Sequence, residues 1–230
     1  MGKLRILSHS EELFPDRAEA GRLLGEALKD LSDKKAVVLG IPRGGVIVAA
    51  ELARVIQAGL DIVLSRKLGA PDNPELAIGA IAEDGEVVLH HSLITALGVS
   101  QSYIKEEKTR QLAEINRRSQ LVRGILPRLN LKDRTVIVTD DGVATGATLQ
   151  AALWLAHKAE PKNLIAALPV GPEETLTELA RDCDEMVCLR APYGFASVGQ
   201  FYRHFPQVED EEVLSLLSRV REEKTHGTGK

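Results

Sequence analysis

Two adjacent aspartates and a threonine-containing turn are the residues of this chain whose types and spacing could do chemistry. Asp140 and Asp141 follow a short β-branched run, Val136–Thr139, that has the composition of a buried strand. Thr145 and Thr148 bound a turn of small residues just beyond them. Small residues let backbone N–H groups approach a phosphate, and the two hydroxyls can donate to the same oxygens. Carboxylates suit the hydroxyls of a ribose, so the segment points to a sugar phosphate.

The segment Val136–Thr148 resembles the phosphoribosyl-diphosphate (PRPP) binding motif of type I phosphoribosyltransferases. The resemblance implies that the acidic pair binds the ribose hydroxyls and that the turn Thr145–Thr148 binds the 5′-phosphate. The chain departs from the usual pattern at Thr139 and Gly142, where aliphatic residues are common. The motif residues expected to contact PRPP are Asp140, Asp141, Gly142, Val143, Ala144, Thr145, Gly146, Ala147 and Thr148.

A second candidate loop, Pro42–Gly45, follows the apolar run Ala36–Ile41. Gly44 and Gly45 allow main-chain N–H groups to approach an anion, and the Arg43 guanidinium can donate bidentate hydrogen bonds to phosphate oxygens. Gly-Gly after a strand is by itself more commonly a plain turn. Together with the downstream motif, however, it resembles the diphosphate loop of purine-type family members, which assigns all three residues to PRPP.

Arg66 and Lys67 follow a second predicted strand, Asp61–Leu64. A cation at this position resembles the short second loop of the family, which contacts the diphosphate. We favour Lys67 over Arg66 for this contact, and a pair of solvated charges is the alternative.

Aromatic residues cluster near the end of the chain, where five of the eight lie between Tyr193 and Phe205. An aromatic face can stack on a nucleobase. Tyr193 and Phe195 are therefore candidate base-binding residues, and a small satellite core beneath the last helix is the alternative.

Alternating apolar strands and amphipathic helices must position these loops. The pattern predicts an α/β fold with a mainly parallel sheet covered by helices on both faces. In such folds ligands bind at the carboxyl ends of the strands, where both glycine-containing loops lie. The predicted strands are Ala36–Ile41, Asp61–Leu64, Val136–Thr139, Asn163–Leu168 and Met186–Leu189, and the predicted helices are Asp16–Leu31, Val46–Gln57, Gln101–Arg123, Leu149–His157, Glu173–Arg181 and Asp210–Arg221.

One domain is predicted over residues 1–224, because 230 residues suit one α/β domain and are short for two. The dipeptide Asp84-Gly85 between two apolar runs is a hairpin signal. Smaller predicted segments are a hairpin appendage at about residues 71–100, a C-terminal cap at about 190–222, and a disordered tail at 225–230.

Composition excludes several classes of protein. Cys183 and Cys188 are too few for a disulfide framework, which favours a reducing compartment. The first dozen residues lack the apolar segment of a secretory signal, and no apolar run reaches the roughly 18 residues of a membrane span. A net charge of −4 disfavours an extended nucleic-acid interface. We therefore expect a cytoplasmic protein with small-molecule partners and no membrane partner, with a homo-oligomer left open.

The resemblance implies Mg²⁺-dependent transfer of the 5-phosphoribosyl group from PRPP to an acceptor, expected to be a nucleobase, with release of diphosphate. Arg43, Lys67, Asp140 and Asp141 would form the catalytic set. Mg²⁺ would be carried by the diphosphate and ribose, with the two aspartates as the nearest protein oxygens, and no metal would be held directly by protein. Ala144 stands where 6-oxopurine enzymes carry a proton-handling Asp and where adenine-type motifs carry Ala, which disfavours hypoxanthine and guanine.

Other functions stay open at this stage. A PRPP- or nucleotide-sensing regulator would keep the site and lose turnover, but the basic residues of the long helix Gln101–Arg123 are partly offset by glutamates and fit a solvated face. A nucleotide phosphohydrolase or phosphorylase could use the same site. A PRPP synthase is disfavoured because the chain lacks room for a second related domain.

The resemblance also implies a mobile loop that closes the site. In this chain the corresponding stretch, Pro71–Ser100, has in part the pattern of a hairpin.

Overall fold

Six parallel strands form the central sheet in the computed structural model, which describes residues 2–31 and 35–227. Every neighbouring pair in this sheet is parallel, so all six carboxyl ends lie along one edge. In order across the sheet, the strands are β1 (Lys3–Ile6), β9 (Glu185–Arg190), β8 (Asn163–Val170), β7 (Thr135–Thr139), β2 (Val37–Gly40) and β3 (Gly59–Ile62).

Seven α-helices accompany the strands in the described part of the chain, and they cover both faces of the sheet. Alternate residues of β7 face opposite layers: Ile137 packs in the core with Leu52, and Val136 packs in a second core with Leu153. The predicted fold class is confirmed. The helices are α1 (Arg17–Ala27), α2 (Gly44–Ile56), α3 (His91–Ala96), α4 (Gln101–Arg123), α5 (Ala147–Lys158), α6 (Glu173–Leu179) and α7 (Asp210–Gly227).

Helix boundaries follow local capping chemistry. The Asp16 side chain accepts a hydrogen bond from Glu19 N at 2.9 Å and caps α1, as its position predicted. Ser100 caps α4 in the same way. Helix α2 ends at Ile56, one residue before the predicted end, because Gln57 takes the left-handed conformation there, and Gly59 begins β3.

A smaller antiparallel sheet of three strands lies beside the parallel one, formed by β4 (Ser65–Ala70), β5 (Asn73–Ala82) and β6 (Val87–Leu89). The predicted hairpin is β5–β6. The placement of Arg66 and Lys67 at the end of the second parallel strand was wrong, since that strand ends at Ile62 and both residues begin β4. Neighbouring apolar runs gave no sign that the chain changes sheets between them.

The edge strand β1 escaped sequence analysis. It has four residues, and its charged side chains, Lys3 and Arg5, both pair with Glu185 of β9. A short strand with alternating charges carries too little apolar signal to be recognised without its partner.

The C-terminal helix α7 continues to Gly227 and so enters the segment predicted as a disordered tail from Thr225, while residues 228–230 lie outside the described part. Cys183 and Cys188 are free buried thiols, and burial raises the pKa of each to about 12. Within residues 2–31 and 35–227, no helix has the length and apolar character needed to cross a bilayer.

Buried ion pairs fasten the end of α4 to both sheets. Arg123 Nη1 lies 2.6 Å from Asp61 Oδ1 on β3, and its Nη2 lies 2.6 Å from Oε1 of Glu83, just after β5. Burial alone would lower the pKa of Arg123, but the hydrogen bond to Glu83 and the charge of Asp61 raise it. Asp61 is only 2% exposed, so its side chain depends on Arg123 as a counter-charge within the protein.

We expect Arg123→Ala to lower the free energy of unfolding by about 3–5 kcal/mol, because the buried Asp61 carboxylate would lose its counter-charge. Urea unfolding followed by circular dichroism measures the loss. Lys132→Ala is the control, since its pair with Glu160 is largely exposed and should contribute little to stability. Equal losses in the two variants would contradict the anchoring role of Arg123.

Candidate active site

The two loops singled out in the sequence meet at the carboxyl edge of the sheet. β2 and β7 are neighbours, with Gly40 opposite Thr139, so the loops that follow them begin side by side. A Cβ atom at Gly44 would lie 1.9 Å from Asp141 Oδ2, and one at Gly45 would lie 2.7 Å from the Cα of Asp140. Only glycine leaves room for this approach, so residues predicted separately form one site.

Some neighbours of Asp140 raise the pKa of its carboxyl group, and others lower it. Its Oδ1 accepts a hydrogen bond from the backbone N–H of Asp141 at 2.8 Å. Desolvation and then the charge of Asp141 raise the pKa of Asp140 well above its usual range, while hydrogen bonds from the backbones of Asp141 and Gly45 act against that rise. Ionisation of both Asp140 and Asp141 is therefore unfavourable in the folded protein, and hydroxyl donors or a cation would stabilise the two carboxylates.

Arg17, which sequence analysis missed, is the direct partner of the acidic pair. Its Nε donates to Asp141 Oδ2 at 2.7 Å, its Nη1 donates to the carbonyl of Pro206 at 2.8 Å, and its guanidinium lies 3.7 Å from the centre of the Phe205 ring. Desolvation raises the pKa of Asp141, and the hydrogen bond from Arg17 moderates the rise. Nothing in the sequence distinguishes Arg17 from an ordinary arginine near a helix start.

Tyr202 is a second group that the structure adds to the acidic pair. Its hydroxyl donates to the backbone carbonyl of Asp141 at 2.6 Å, and its ring packs on Phe205 and on Phe14. Burial, then the nearby charge of Asp141, raises the pKa of Tyr202 well above its usual range. Part of the predicted aromatic cluster therefore holds the backbone of Asp141 in place.

The remainder of the motif forms an open turn at the start of α5. Thr145 and Thr148 are exposed there, and Thr175 of α6 donates to the carbonyl of Ala144 at 2.9 Å. Gly142 has a φ of +157°, and a Cβ there would lie 2.6 Å from Val198 Cγ1. This crowding explains why glycine replaces the usual aliphatic residue.

Arg43 lies at the diphosphate-type loop but contacts the start of α7. Its Nη1 is 3.2 Å from Glu209 Oε2 and 3.9 Å from Asp210 Oδ1. The peptide bond that joins Pro42 to Arg43 is cis. Lys67, from the antiparallel sheet, lines a cavity of about 130 Å³ that Pro42 and Thr148 also line. Lys67 thus shares this cavity with Pro42, the neighbour of Arg43, while the Arg43 side chain lies against Glu209 and Asp210.

The two predicted base-binding aromatics have different surroundings. Tyr193 is 86% exposed, and its ring stacks on His9 with centroids 5.2 Å apart and planes 8° apart. Phe195 instead packs on Phe201 at 5.3 Å and joins the core. His9 was not recognised in the sequence, where it is an isolated histidine after a strand that was itself missed. Its Nδ1 lies 2.8 Å from the carbonyl of Ala191.

Comparison with known proteins agrees with this geometry. Residues 9–199 match the family described as the phosphoribosyl transferase domain. The chain is 43% identical over 209 residues, 91% of its length, to Rv0571c of Mycobacterium tuberculosis strain H37Rv, provisionally named a phosphoribosyl transferase. The counterpart in strain CDC 1551 / Oshkosh, MT0597, has a name of the same kind and the same identity. The chain spans about half, 47%, of the length of these curated relatives.

A solved structure shows the same fold. The crystal structure of TT1426 from Thermus thermophilus is 43% identical and has a TM-score of 0.85, with coverage of 90% of this chain and 98% of that one. The chain belongs to the phosphoribosyl transferase domain family. The resemblance that Val136–Thr148 indicated is confirmed.

We expect Asp140→Asn to make the protein more stable than wild type at pH 7. The folded-state pKa of Asp140 is raised, so its carboxylate opposes folding above that pKa, and the neutral amide removes the cost. The gain should shrink as the pH falls and vanish below the unfolded pKa of about 3.9, where the carboxyl is neutral in both states. Urea unfolding at pH 7 and at low pH measures this.

Asp84→Asn is the matched control with the opposite sign. Burial opposes ionisation of Asp84, but the hydrogen bond from Arg128 lowers its pKa, so its charge favours folding above the unfolded pKa. This variant should lose stability at pH 7 and match wild type at low pH. An Asp140→Asn protein less stable than wild type at pH 7 would contradict the assigned environment of Asp140.

Proposed function

We propose that this protein transfers the 5-phosphoribosyl group of PRPP to a nucleobase-type acceptor and releases diphosphate. The contact of Gly44 and Gly45 with Asp141 and Asp140 carries the proposal. This contact supports the proposal because it holds two carboxylates suited to ribose hydroxyls directly against a loop suited to diphosphate, and PRPP carries both groups. Family membership supports the same activity.

The acidic pair would recognise and activate the ribose. Asp140 and Asp141 accept hydrogen bonds from the 2′- and 3′-hydroxyls, and each charge-assisted bond is worth about 1.5–3 kcal/mol. As the bond between C1 and the diphosphate oxygen breaks, positive charge develops on the ribose, and two carboxylates held in place stabilise it. Arg17 and Tyr202 keep Asp141 in position during this step.

The phosphate groups would bind at the two loops. Thr145, Thr148 and the amino-terminal end of α5 present hydroxyls and backbone N–H groups for the 5′-phosphate. Arg43 and Lys67 supply positive charge for the leaving diphosphate. Their positions at different elements let them approach the diphosphate from two sides.

Mg²⁺ fits this donor set as an ion carried by the substrate. The ion usually keeps several waters and binds through one or two carboxylates plus substrate phosphates. Asp140 and Asp141 are adjacent and leave oxygens beyond the one that Arg17 occupies. Across residues 2–31 and 35–227, no group of three or more acidic, histidine or cysteine side chains could hold a metal ion. When bound, Mg²⁺ would neutralise charge on the leaving diphosphate.

The acceptor would be a flat base that needs little deprotonation. The exposed stack of Tyr193 on His9 stands after β9 and β1, on the far side of the motif loop from β2. Ala144 offers no side chain that could take a proton. An adenine-like acceptor matches both features better than a 6-oxopurine does.

We expect acceptor-dependent diphosphate release when the protein is incubated with PRPP, Mg²⁺ and single nucleobases. Adenine should be the best substrate, and hypoxanthine and guanine should react at least about 10²-fold more slowly, because catalytic proton handling is worth about 10²–10⁴-fold. The Asp140→Asn, Asp141→Asn double variant should lose this activity. Release without any acceptor would favour a hydrolase, and PRPP binding without release would favour a sensor.

We expect Arg43→Ala to reduce turnover of PRPP far more than it weakens binding of ribose 5-phosphate, which lacks the diphosphate. Steady-state kinetics and calorimetry measure the two effects. Arg54→Ala is the control and should change neither quantity, because Arg54 lies at the exposed far end of α2, the helix that begins just after Arg43. Equal losses for both ligands in Arg43→Ala would assign Arg43 a structural role.

A further inference from the structure

The cavity beside Lys67 has an unusual charge distribution. It lies where the loop after β2, the start of β4 and the middle of α4 come together. Its charged lining residues, Arg66, Lys67 and Arg118, are all cations. Its volume of about 130 Å³ is far more than one water requires. A cavity with this lining suits a polyanion.

Arg118 carries an unsatisfied donor at this place. Its Nε atom is shielded from solvent and makes no hydrogen bond within the described part of the chain. The nearest carboxylate oxygen, Glu114 Oε1, is 3.5 Å away without hydrogen-bond geometry. A buried N–H group without a partner is uncommon in folded proteins and marks a position where an acceptor would bind favourably.

Glu114 cannot neutralise the arginines around it. Its Oε1 lies 3.3 Å from Arg66, 3.2 Å from Arg117 and 3.5 Å from Arg118. One carboxylate thus faces three guanidinium groups, and the two that line the cavity share it with a third. Arg66 and Arg118 could therefore exchange their contact with Glu114 for hydrogen bonds to an incoming phosphate, which would meet an excess of positive charge.

The helix that carries Arg118 is fixed in place. Arg123 lies five residues further along α4, about 7.5 Å away, and is held by its ion pairs to both sheets. Ile115, one turn before Arg118, also lines the cavity and belongs to the core. Arg118 is therefore held at the cavity before any ligand arrives, which favours strong binding.

We propose that Arg118 of α4 binds the diphosphate end of PRPP together with Lys67. The assignment rests on the proposed function and adds to it a residue outside both recognised loops. The diphosphate is favoured over the 5′-phosphate because Pro42 and the start of β4 line the cavity, whereas Thr145 and Gly146 of the 5′-phosphate turn do not. Thr148 marks the boundary between the two phosphate sites.

Calorimetry with the full chain tests the assignment, with Mg²⁺-diphosphate, PRPP and ribose 5-phosphate as separate ligands. Arg118→Gln should weaken diphosphate and PRPP binding by about 10- to 100-fold, as expected for loss of a charge-assisted hydrogen bond, and should leave ribose 5-phosphate within about twofold. Arg118→Lys should recover part of the affinity. Lys105→Gln removes a charge about 20 Å away on the same helix and should change nothing.

The outcomes separate the assignment from the proposed function. If wild type binds PRPP and folded Arg118→Gln binds diphosphate and PRPP as tightly, the assignment of Arg118 is wrong while the function stands. Equal losses for diphosphate and ribose 5-phosphate would also overturn it. Wild-type protein that binds neither PRPP nor diphosphate would overturn the proposed function itself. Urea unfolding of each variant confirms that the chain is folded.

Discussion

The close approach of two backbone loops is the constraint on which the rest of the site depends. Gly44 and Gly45 bring the loop after β2 against Asp141 and Asp140, at distances that no side chain would permit. Packing of this kind removes water from the two carboxylates and raises their pKa values. Their charge is then maintained by Arg17, by backbone N–H groups and, under the proposed function, by the ribose and its metal ion.

The aromatic residues that pack around Arg17 meet this requirement. Phe205 covers the guanidinium of Arg17, and Tyr202 packs between Phe205 and Phe14 while its hydroxyl holds the backbone of Asp141. A buried arginine needs both a counter-charge and apolar cover for its flat face. The aromatic cluster therefore has two parts, a buried one that contacts Arg17 and the backbone of Asp141, and an exposed one, Tyr193.

The stretch Pro71–Ser100, where the resemblance implied a mobile closure loop, holds strands β5 and β6 and helix α3. Helix α4 follows it, and the end of α4 is fixed by Arg123 to Asp61 and Glu83. Under the proposed function, these ordered elements would supply their charges to the diphosphate without the entropy cost of ordering a loop.

The sequence by itself determined the parallel sheet apart from its edge strand β1, the helix caps at Asp16 and Ser100, and the two glycine-containing loops. Strand patterns, capping residues and glycine spacing are properties of neighbouring residues. Only the tertiary structure decided that Arg17 pairs with Asp141, 124 positions away, and that Arg118 turns toward the cavity. An arginine has the same local pattern whether it faces solvent or a buried carboxylate. Its partner is chosen by which elements pack together, and that depends on the whole chain.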